Sequence, residues 1–429
     1  MSDEPFTGRR VLVLGLGITG LDVASALAQR GNSVLASDIG DADEQAVRRL
    51  EALGVDIELG SHSRARRELK SVDFIVPSPG ISPMLGFLAE AIDAGAKVIS
   101  ELDIAGSLAS APVIAVTGTN GKTTVCRLTT AMAQAEGRTA LACGNVELKF
   151  LTAVHERPDA DLYVVEASSF ALAFCTTFKP SVSIITNLAP DHIDWHKTFE
   201  HYRDSKAKIA ANQTPGDLFL YPAAQPDLAD LAPSPGPLRQ AFEATERFPA
   251  FSQRASHFAD DADAAARAAA FVGVGDEAMS RAAASFKFED HRLAYVGKKD
   301  GVGVYDDAVS ANPHATIAAL RTFDDPVVLI AGGRSKVDLS PLVSEASRLR
   351  ALVAIGEAAR ELQSLFEGAG VIVSIAASMP EAVRMAFELA RPGDAVLLSP
   401  ACASWDMFGG YAERGRTFLE ACRAFGVAA

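Results

Sequence analysis

The stretch Ile114-Ala115-Val116-Thr117-Gly118-Thr119-Asn120-Gly121-Lys122-Thr123-Thr124 decides the fold of this chain. Its apolar start is typical of a buried strand, its glycines of a tight loop, and the segment through Met132 of an amphipathic helix. Backbone N–H groups in such a loop, together with the positive end of the helix dipole, bind phosphate. Lys122 would reach the outer phosphates of a nucleoside triphosphate, and the Thr123 hydroxyl would hold Mg²⁺.

This loop is a compact form of the usual phosphate loop. The usual loop has a glycine five positions before Gly121, where this chain has Val116. The alternative is an ordinary strand-to-helix turn, but such a turn does not require Lys-Thr-Thr at its end. The sequence therefore predicts a nucleoside triphosphate site formed by Gly118, Thr119, Asn120, Gly121, Lys122, Thr123 and Thr124.

Composition predicts a protein of several domains that binds neither nucleic acid nor membrane. A length of 429 residues suggests about three domains. The net charge of -14 disfavours a nucleic-acid partner, and no apolar run is long enough to span a bilayer. The five cysteines lack Cys-x-x-Cys spacing, and the polar N-terminus does not resemble a signal peptide. We therefore expect a cytoplasmic protein with reduced thiols.

The N-terminal segment has the pattern of a nucleotide-binding βαβ unit. A strand at 11–14 precedes Gly15-Leu16-Gly17-Ile18-Thr19-Gly20, a helix follows, and a second strand ends at Asp38. The same glycine loop serves NAD and other nucleotide diphosphates, so the pattern alone leaves both open. A strand at 98–100 would close this domain, and residues 101–110 would be a linker.

Three predicted strands of the central segment end in polar residues. They deliver Asn145, Glu166 and His192, and in a parallel sheet such ends meet at the ligand-binding edge. Glu166 suits Mg²⁺, which prefers hard oxygen ligands. Residues 198–212 read as a helix that carries Lys206, and residues 213–253 read as irregular apart from one short strand at 218–221.

The C-terminal segment begins with a hairpin at 293–305 and continues with alternating strands and helices, which indicates another parallel sheet. The predicted fold class is α/β with three domains. These are an N-terminal Rossmann-like domain (1–105), a central P-loop-type ATPase domain (106–288) and a C-terminal Rossmann-like domain (289–429).

Taken together, the motifs resemble those of the Mur ligase family over the whole chain, and most closely those of its D-glutamate-adding members. They are Gly-Leu-Gly-Ile-Thr-Gly at 15–20, Ser-Pro-Gly-Ile at 78–81, Gly-Thr-Asn-Gly-Lys-Thr-Thr at 118–124, Glu-Ala-Ser-Ser-Phe at 166–170, Asn-Leu-Ala-Pro-Asp-His-Ile-Asp at 187–194, Tyr-Arg-Asp-Ser-Lys at 202–206, Asp-His-Arg at 290–292, Gly-Gly-Arg-Ser-Lys at 332–336 and Leu-Ser-Pro-Ala-Cys-Ala-Ser-Trp-Asp-Met-Phe at 398–408. The last motif is the most specific to the D-glutamate-adding members.

The resemblance implies an ATP-dependent carbon–nitrogen ligase of cytoplasmic peptidoglycan precursor synthesis. ATP would phosphorylate the carboxylate of UDP-N-acetylmuramoyl-L-alanine, and the amine of D-glutamate would displace phosphate from the acyl-phosphate. The resemblance also implies ATP and two Mg²⁺ ions as cofactors, the sugar nucleotide and glutamate as partners, and a monomer.

The resemblance assigns roles residue by residue. Lys122, Glu166, His192 and Lys206 would be catalytic, and Thr123, Glu166, His192 and a carbamylated Lys206 would bind the metal ions. Arg292, Asp307 and Asn312 would join the phosphate loop in binding ATP. Lys336, Ser404 and Tyr411 would bind the amino acid. The UDP-sugar would contact Gly17, Ile18, Thr19, Asp38, Ser78, Gly80, Asn145 and Ser168.

The chain departs from the family pattern at three places. Relatives carry His-Asn-x-x-Asn where this chain has His257-Phe258-Ala259-Asp260-Asp261, which concerns the contacts to adenine. They carry Asp-Ser-Lys-Ala-Thr-Asn at 307–312, so Val309 and Ala311 stand here in place of a lysine and a threonine. They also carry phenylalanine at the position of Tyr411. These changes leave the identity and chirality of the added amino acid open.

Four alternatives compete with this interpretation. The same ligation of another amino acid, such as L-glutamate, is compatible with Lys336 and Ser404. Folate-type polyglutamate ligases lack an N-terminal glycine-loop domain. An NAD-dependent oxidoreductase would leave Lys122, Glu166 and Lys206 without a role. The fourth is a non-catalytic nucleotide-binding homologue. An active ligase also predicts domain closure, with hinges near 101–110 and 286–292.

Overall fold

Three β-sheets organise the chain, as a three-domain α/β protein requires. The computed structural model describes residues 6–84, 86–146 and 148–428. Its described residues form two compact units: one comprises 1–188, 198–252 and 258–286, and the other comprises 189–197, 253–257 and 287–429. The first unit contains two sheets and the second contains one.

The N-terminal sheet has four parallel strands in the order β3-β2-β1-β4, which is the predicted Rossmann-like arrangement. The strands are β1 (Arg10–Leu14), β2 (Ser33–Asp38), β3 (Asp56–Leu59) and β4 (Phe74–Pro77). The helices are α1 (Ile18–Gln29), α2 (Glu44–Ala52), α3 (Ser63–Glu68), α4 (Gly86–Asp93) and α5 (Glu101–Leu108), with a 3₁₀ helix at Leu69–Ser71.

The expected strand at 98–100 and the expected linker at 101–110 were both wrong. Val98 forms only an isolated bridge with Ile75. The predicted linker is helix α5, whose N-terminus carries a capping box formed by Ser100 and Asp103. The Asp103 carboxylate also accepts the backbone N–H groups of Thr176, Thr177 and Phe178 at 2.7–3.0 Å. Because Asp103 is buried, this one side chain joins α5 to the loop before β8.

The central sheet has six parallel strands in the order β10-β9-β8-β5-β7-β6. The strands are β5 (Val113–Thr117), β6 (Ala140–Gly144), β7 (Leu162–Glu166), β8 (Val182–Ile185), β9 (Leu218–Pro222) and β10 (Leu238–Phe242). The helices along this part of the chain are α6 (Lys122–Ala135), α7 (Phe150–Glu156), α8 (Ser169–Leu172), α9 (Ile193–His196), α10 (Phe199–Ala207), α11 (Pro249–Ser252), α12 (Ser256–Phe271) and α13 (Asp276–Ser285), with a 3₁₀ helix at Pro226–Leu231.

Every residue of β5 and β7 is buried, as expected for inner strands covered on both faces. The prediction for 213–253 was incomplete, because it missed β10. This strand extends the sheet by pairing with β9 at the edge. Its sequence, Leu-Arg-Gln-Ala-Phe, places two charged or polar residues between apolar ones, so it lacks the continuous apolar run that identifies an inner strand.

The C-terminal sheet has the order β11-β12-β16-β13-β14-β15 and is parallel except for the predicted hairpin of β11 and β12. The strands are β11 (Ala294–Lys299), β12 (Val302–Asp306), β13 (Val327–Gly332), β14 (Leu349–Ile355), β15 (Ile372–Ile375) and β16 (Ala395–Leu398). The helices are α14 (Pro313–Leu320), α15 (Ala359–Glu367), α16 (Met379–Leu389) and α17 (Tyr411–Ala424), with a 3₁₀ helix at Ser340–Arg348. The predicted hairpin makes β11 the antiparallel edge strand.

Within the described ranges, no helix combines the length and apolar character that crossing a membrane requires.

Replacement of Asp103 by asparagine is expected to destabilise the first unit by about 2 kcal/mol, because several charge-assisted hydrogen bonds to buried backbone become weaker. Urea unfolding would measure this loss. Asp43→Asn is the matched control, since Asp43 caps the exposed start of α2 with one bond and asparagine is as good a cap. Equal stability losses in the two variants would contradict the assignment.

Candidate active site

The phosphate loop connects the end of β5 to the start of α6, as predicted. Gly118 has φ +142° and Gly121 has φ +83°, values that L side chains rarely adopt. Space is also lacking at both positions. A Cβ at Gly118 would lie 1.9 Å from Thr186 Oγ1, and one at Gly121 would lie 2.3 Å from an oxygen of Asp261. Both glycines are therefore required by conformation and by packing.

Residues that follow β8 hold the loop in place. Asn187 accepts the N–H of Thr119 with its backbone oxygen at 2.9 Å, and the N–H of Asn120 with its side-chain oxygen at 3.0 Å. The carbonyl of Asn120 accepts from the Thr186 hydroxyl at 2.5 Å and from the Asn187 amide at 3.1 Å. The loop is thus pre-shaped by the neighbouring strand, which lowers the ordering cost of binding a phosphate chain.

Two lysine amines converge on the carbonyl of Gly118. Lys122 Nζ donates to it at 3.0 Å and to the Thr119 carbonyl at 2.8 Å. Lys206 Nζ donates to it at 2.7 Å and contacts Thr117 Oγ1 at 3.2 Å. Lys206 is only 2% exposed and its amine lies over the Tyr202 ring, unlike an ordinary solvated helix lysine. The structure therefore brings Lys206 to the phosphate loop.

Glu166, the last residue of β7, is buried between the loop and β6. Its two oxygens accept from the Thr123 hydroxyl at 2.7 Å and from the Asn145 amide at 3.0 Å. In register it lies beside Val116 of β5 and Gly144 of β6. A carboxylate and a hydroxyl in contact form a hard-oxygen set that fits Mg²⁺. Across the described residues, no group of three or more His, Cys, Asp or Glu side chains could hold a metal.

Two other predicted residues of the first unit have local structural partners. Ser168 caps the N-terminus of α8 by accepting the N–H of Ala171 at 3.1 Å. Thr124 is buried in the first turn of α6. Their predicted contacts with substrate and ATP stay predictions.

The glycine loop of the N-terminal domain combines close packing with an open helix N-terminus. A Cβ at Gly20 would lie 1.8 Å from the Gly15 carbonyl oxygen, which also accepts the Ser78 hydroxyl at 2.9 Å. Gly17 has open space around it, and residues 17–19 form the start of α1, where backbone N–H groups lack helical partners. Anions bind at such a helix start.

Asp38 stabilises the same loop. Its two oxygens accept the N–H of Leu16 at 2.6 Å and of Gly40 at 2.8 Å. Ile18, in the first turn of α1, and Gly80, in the loop after β4, are both exposed. The predicted contact of Asp38 with uracil stays a prediction.

The second unit contains the other predicted ATP residues. Asp307 is buried and accepts the hydroxyls of Ser310 and Ser399 at 2.6 and 2.8 Å. Burial raises the pKa of Asp307 to about 6, although these hydrogen bonds oppose the rise. Asn312 caps α14 through Ala315, and Arg292 pairs with Glu289 at 2.8 Å.

A basic cluster lies in the region where the sequence departs from the family pattern. Burial lowers the pKa of His257 to about 4, and nearby Arg292, His314 and Arg254 lower it further. Burial also lowers the pKa of His314. Both imidazoles are therefore neutral near pH 7, so they can each donate and accept a hydrogen bond.

Asp191 connects three of the predicted residues, a role that the sequence did not reveal. One of its oxygens accepts the Asn312 amide at 3.1 Å and lies 3.7 Å from His192 Nε2. The other lies 3.8 Å from Lys336 Nζ. His192 itself adopts φ +53°. Asp191 therefore orients the predicted metal ligand and the predicted glutamate-binding lysine.

The remaining amino-acid residues lie at and after the C-terminal end of β16. Ser404 is 4% exposed, whereas Tyr411, the first residue of α17, is 47% exposed. No hydrogen bond within the described residues joins Ser404 or Tyr411 to Lys336. The amino-acid site composed of these three residues stays a prediction.

Sequence reasoning missed the residues that support the site from other elements: Thr186, Asn187, Asp191 and Asp261. Asn187 and Asp191 belong to a motif that the sequence analysis quoted, and this was the available signal. Asp261 was noted only as a departure, and nothing in the sequence indicated that its carboxylate packs against Gly121.

Gly121→Ala is expected to abolish binding of a non-hydrolysable ATP analogue, because the new Cβ meets Asp261 and strains the loop. Calorimetric titration would measure the binding. Gly137→Ala is the control: Gly137 follows α6 with φ +93° and open space around it, so only conformational strain of about 1 kcal/mol is expected there. Retained analogue binding in a folded Gly121→Ala protein would refute the packing argument.

Comparisons with known proteins identify the family of the chain. Three family models match: the N-terminal domain of MurD-like Mur ligases at 9–100, the Mur ligase middle domain at 116–238 and the glutamate ligase domain of Mur ligases at 291–402. The UDP-N-acetylmuramoylalanine–D-glutamate ligases of Thermobifida fusca and Pelotomaculum thermopropionicum are 38% and 34% identical to this chain. Each alignment covers 97% of this chain and 98% of the relative.

Solved structures share the fold at low identity. MurF from Acinetobacter baumannii has a TM-score of 0.59 at 16% identity, covering 98% of this chain and 93% of that one. UDP-N-acetylmuramate–alanine ligase MurC from Thermotoga maritima has a TM-score of 0.55 at 17% identity, covering 97% and 100%. With three family models in chain order and relatives that align over nearly the full length, the chain belongs to the Mur ligase family.

Proposed function

We propose that this chain is the ATP-dependent ligase that joins D-glutamate to UDP-N-acetylmuramoyl-L-alanine in cytoplasmic peptidoglycan precursor synthesis. The observation that carries the proposal is the phosphate loop, on which two lysine amines and the Thr123–Glu166 pair converge. The full-length similarity to D-glutamate ligases supports this choice of substrates.

The reaction has two steps. A carboxylate oxygen of the L-alanine residue attacks the γ-phosphorus of ATP, and ADP leaves. The neutral glutamate amine then attacks the carbonyl carbon of the acyl-phosphate, inorganic phosphate leaves, and the nitrogen loses one proton as the amide forms. Catalysis of this kind consists mainly of positioning and of neutralising charge on the phosphoryl group. Lys122 and the loop amides that Asn187 does not occupy would bind the β- and γ-phosphates.

Thr123 and Glu166 would hold one Mg²⁺, and His192 together with a carbamylated Lys206 would hold a second. When bound, Mg²⁺ would neutralise part of the negative charge of the phosphates. Carbamylation converts the amine of Lys206 into an anionic oxygen ligand, and the burial of this side chain protects such an adduct from water. Asn145, which donates to Glu166, would orient that carboxylate and contact the sugar–alanine part.

The other substrates would lie on the two remaining sheets. The UDP moiety would bind at residues 17–19 with Ser78 and Gly80, because a helix start and a glycine loop bind diphosphate. ATP would also contact Arg292, Asp307 and Asn312. Lys336, Ser404 and Tyr411 would bind glutamate, with Asp191 holding Lys336 in place. The protein would act as a monomer, without nucleic acid or membrane.

A second candidate is the same ligation with L-glutamate, because Lys336 and Ser404 suit an acidic amino acid without reading its chirality and because Val309 and Ala311 depart from the family pattern beside the amino-acid pocket. A third is a non-catalytic homologue that binds nucleotide only.

Phosphate release from ATP with Mg²⁺ and UDP-N-acetylmuramoyl-L-alanine is expected with D-glutamate and not with L-glutamate. Lys122→Met is the inactive control, because it removes the cation at the outer phosphates. Removal of Mg²⁺ by EDTA is expected to stop the reaction, and added Mg²⁺ to restore it. Release with L-glutamate alone would identify the stereochemical variant, and no release from a protein that binds ATP would identify the non-catalytic homologue.

Carbamylation of Lys206 is expected to give a carbamate signal in the ¹³C NMR spectrum of protein equilibrated with ¹³C-bicarbonate. Lys206→Arg should remove both the signal and the activity, because arginine does not form the adduct. Lys208→Arg is the matched control on the same chain segment, since Lys208 donates to the Ala173 carbonyl instead. An active Lys206→Arg protein would rule out the carbamate ligand.

A further inference from the structure

Arg414 is an arginine buried without a carboxylate partner. It lies in the first turn of α17 and is 1% exposed. Its guanidinium donates to the Cys402 carbonyl at 2.9 Å and to the Ala308 carbonyl at 2.9 Å. None of the ion pairs in the described part of the chain includes Arg414, and its Nε is buried without a hydrogen-bond partner. Burial lowers the pKa of Arg414 to about 10.

A cation buried in this way is costly, so its two acceptors are informative. Ala308 follows Asp307, in the loop after β12. Cys402 stands two residues before Ser404, in the loop after β16. Strands β12 and β16 are parallel neighbours, so both loops leave the same edge of the C-terminal sheet. One side chain thus bridges the loop assigned to the nucleotide and the loop assigned to the amino acid.

The loop after β16 needs such a restraint. Ala401, directly before Cys402, has φ +59°, a strained value for a residue with a Cβ. Ala403, directly after it, forms a bridge with Arg334 through two backbone hydrogen bonds of 2.9 and 3.0 Å. Because Arg334 is two residues before Lys336, a fixed Cys402 also fixes the loop that carries Lys336.

The next residue of α17 supports the same arrangement. A Cβ at Gly415 would lie 2.2 Å from His291 Nδ1, so the His291 ring packs directly against the helix there. His291 Nδ1 contacts the Asp306 carboxylate at 2.6 Å, and Asp306 is the last residue of β12. Arg414 and Gly415 therefore place α17 against three loops that carry predicted ligand-binding residues.

We propose that Arg414 is a positioning residue for the amino-acid site: its guanidinium, bonded to the carbonyls of Ala308 and Cys402, holds Ser404 and the Lys336 loop in the glutamate-binding arrangement. Arg414 itself does not touch substrate. This inference rests on the proposed function, because it uses the assignment of Lys336 and Ser404 to glutamate.

The test compares Arg414→Met and Arg414→Lys with wild type in the phosphate-release reaction. Arg414→Met is expected to raise the KM for D-glutamate about tenfold or more, the factor for losing a charge-assisted hydrogen bond. The KM for UDP-N-acetylmuramoyl-L-alanine should change less than about twofold, since that substrate is assigned to the other unit. The KM of Arg414→Lys for D-glutamate should lie between those of wild type and Arg414→Met, because an ammonium keeps the charge without the two-pronged geometry.

Arg350→Met is the matched control. Arg350 also joins two strands of this sheet, through Asp394 at 2.9 and 3.0 Å, but at the opposite edge, where β14 and β16 begin. It should leave both KM values unchanged. Hydrogen exchange of peptides covering 307–312 and 399–408 should become faster in Arg414→Met and stay unchanged in Arg350→Met.

A purely structural role would give a different pattern. Arg414→Met leaves the carbonyls of Ala308 and Cys402 without their donor, so a lower melting temperature is expected under either role and does not distinguish them. An unchanged KM for D-glutamate, or equal rises in both KM values, would overturn the proposal, as would loss of folded protein in both Arg414 variants. If the wild-type protein shows no glutamate-dependent phosphate release, the proposed function is refuted instead. Hydrogen exchange would then test by itself whether Arg414 holds the loops of Ala308 and Cys402.

Discussion

The carbonyl oxygen of Gly118 is the point on which the active site depends. Lys122 and Lys206 both donate to it, one from the helix that begins at the loop and one from α10. The two amines remain together because the loop is held by Asn187 and Thr186 and because Gly118 leaves no room for a side chain. The positive charge of Lys122 at the start of α6 produces a local field that would attract a polyphosphate, although the protein as a whole is strongly acidic. In the proposed function, Glu166 would supply negative charge for a metal ion between the phosphates and the protein.

The C-terminal domain follows a similar principle with different groups. Asp307, Asp191 and Arg414 are all buried, and each holds backbone or side-chain groups of loops at the carboxyl edge of the sheet. A buried charge is retained only where its hydrogen bonds offset the loss of water, so it fixes geometry more tightly than an apolar contact does. In both units, most of the predicted ligand-binding residues lie on loops, and buried polar groups on neighbouring elements hold those loops.

Much of the fold was accessible from local patterns. The inner strands β5, β7 and β13 are continuous apolar runs followed by turns, and a strand buried on both faces needs that composition. Two segments differ from the prediction. Residues 101–110 were predicted as a linker, yet they form helix α5, which Ser100 and Asp103 cap locally and which Asp103 also ties to amides more than 70 residues away. Strand β10 was missed because an edge strand with Arg239 and Gln240 has no apolar run to detect.

By itself, the sequence determined the α/β class and the strand–loop–helix that carries Lys122 and Thr123, and it predicted Glu166 as a site residue, because glycine conformations and strand-end polarity are local properties. The family resemblance contributed the roles of Lys206 and the C-terminal residues, which spacing alone could not assign. Only the tertiary structure decided that Lys206 is buried against Gly118, that Asp191 joins Asn312 to Lys336, and that Arg414 bridges Ala308 and Cys402. The physical reason is that these contacts join residues far apart in the chain. The order of the strands in the sheets, and not the neighbouring sequence, determines which loops come into contact.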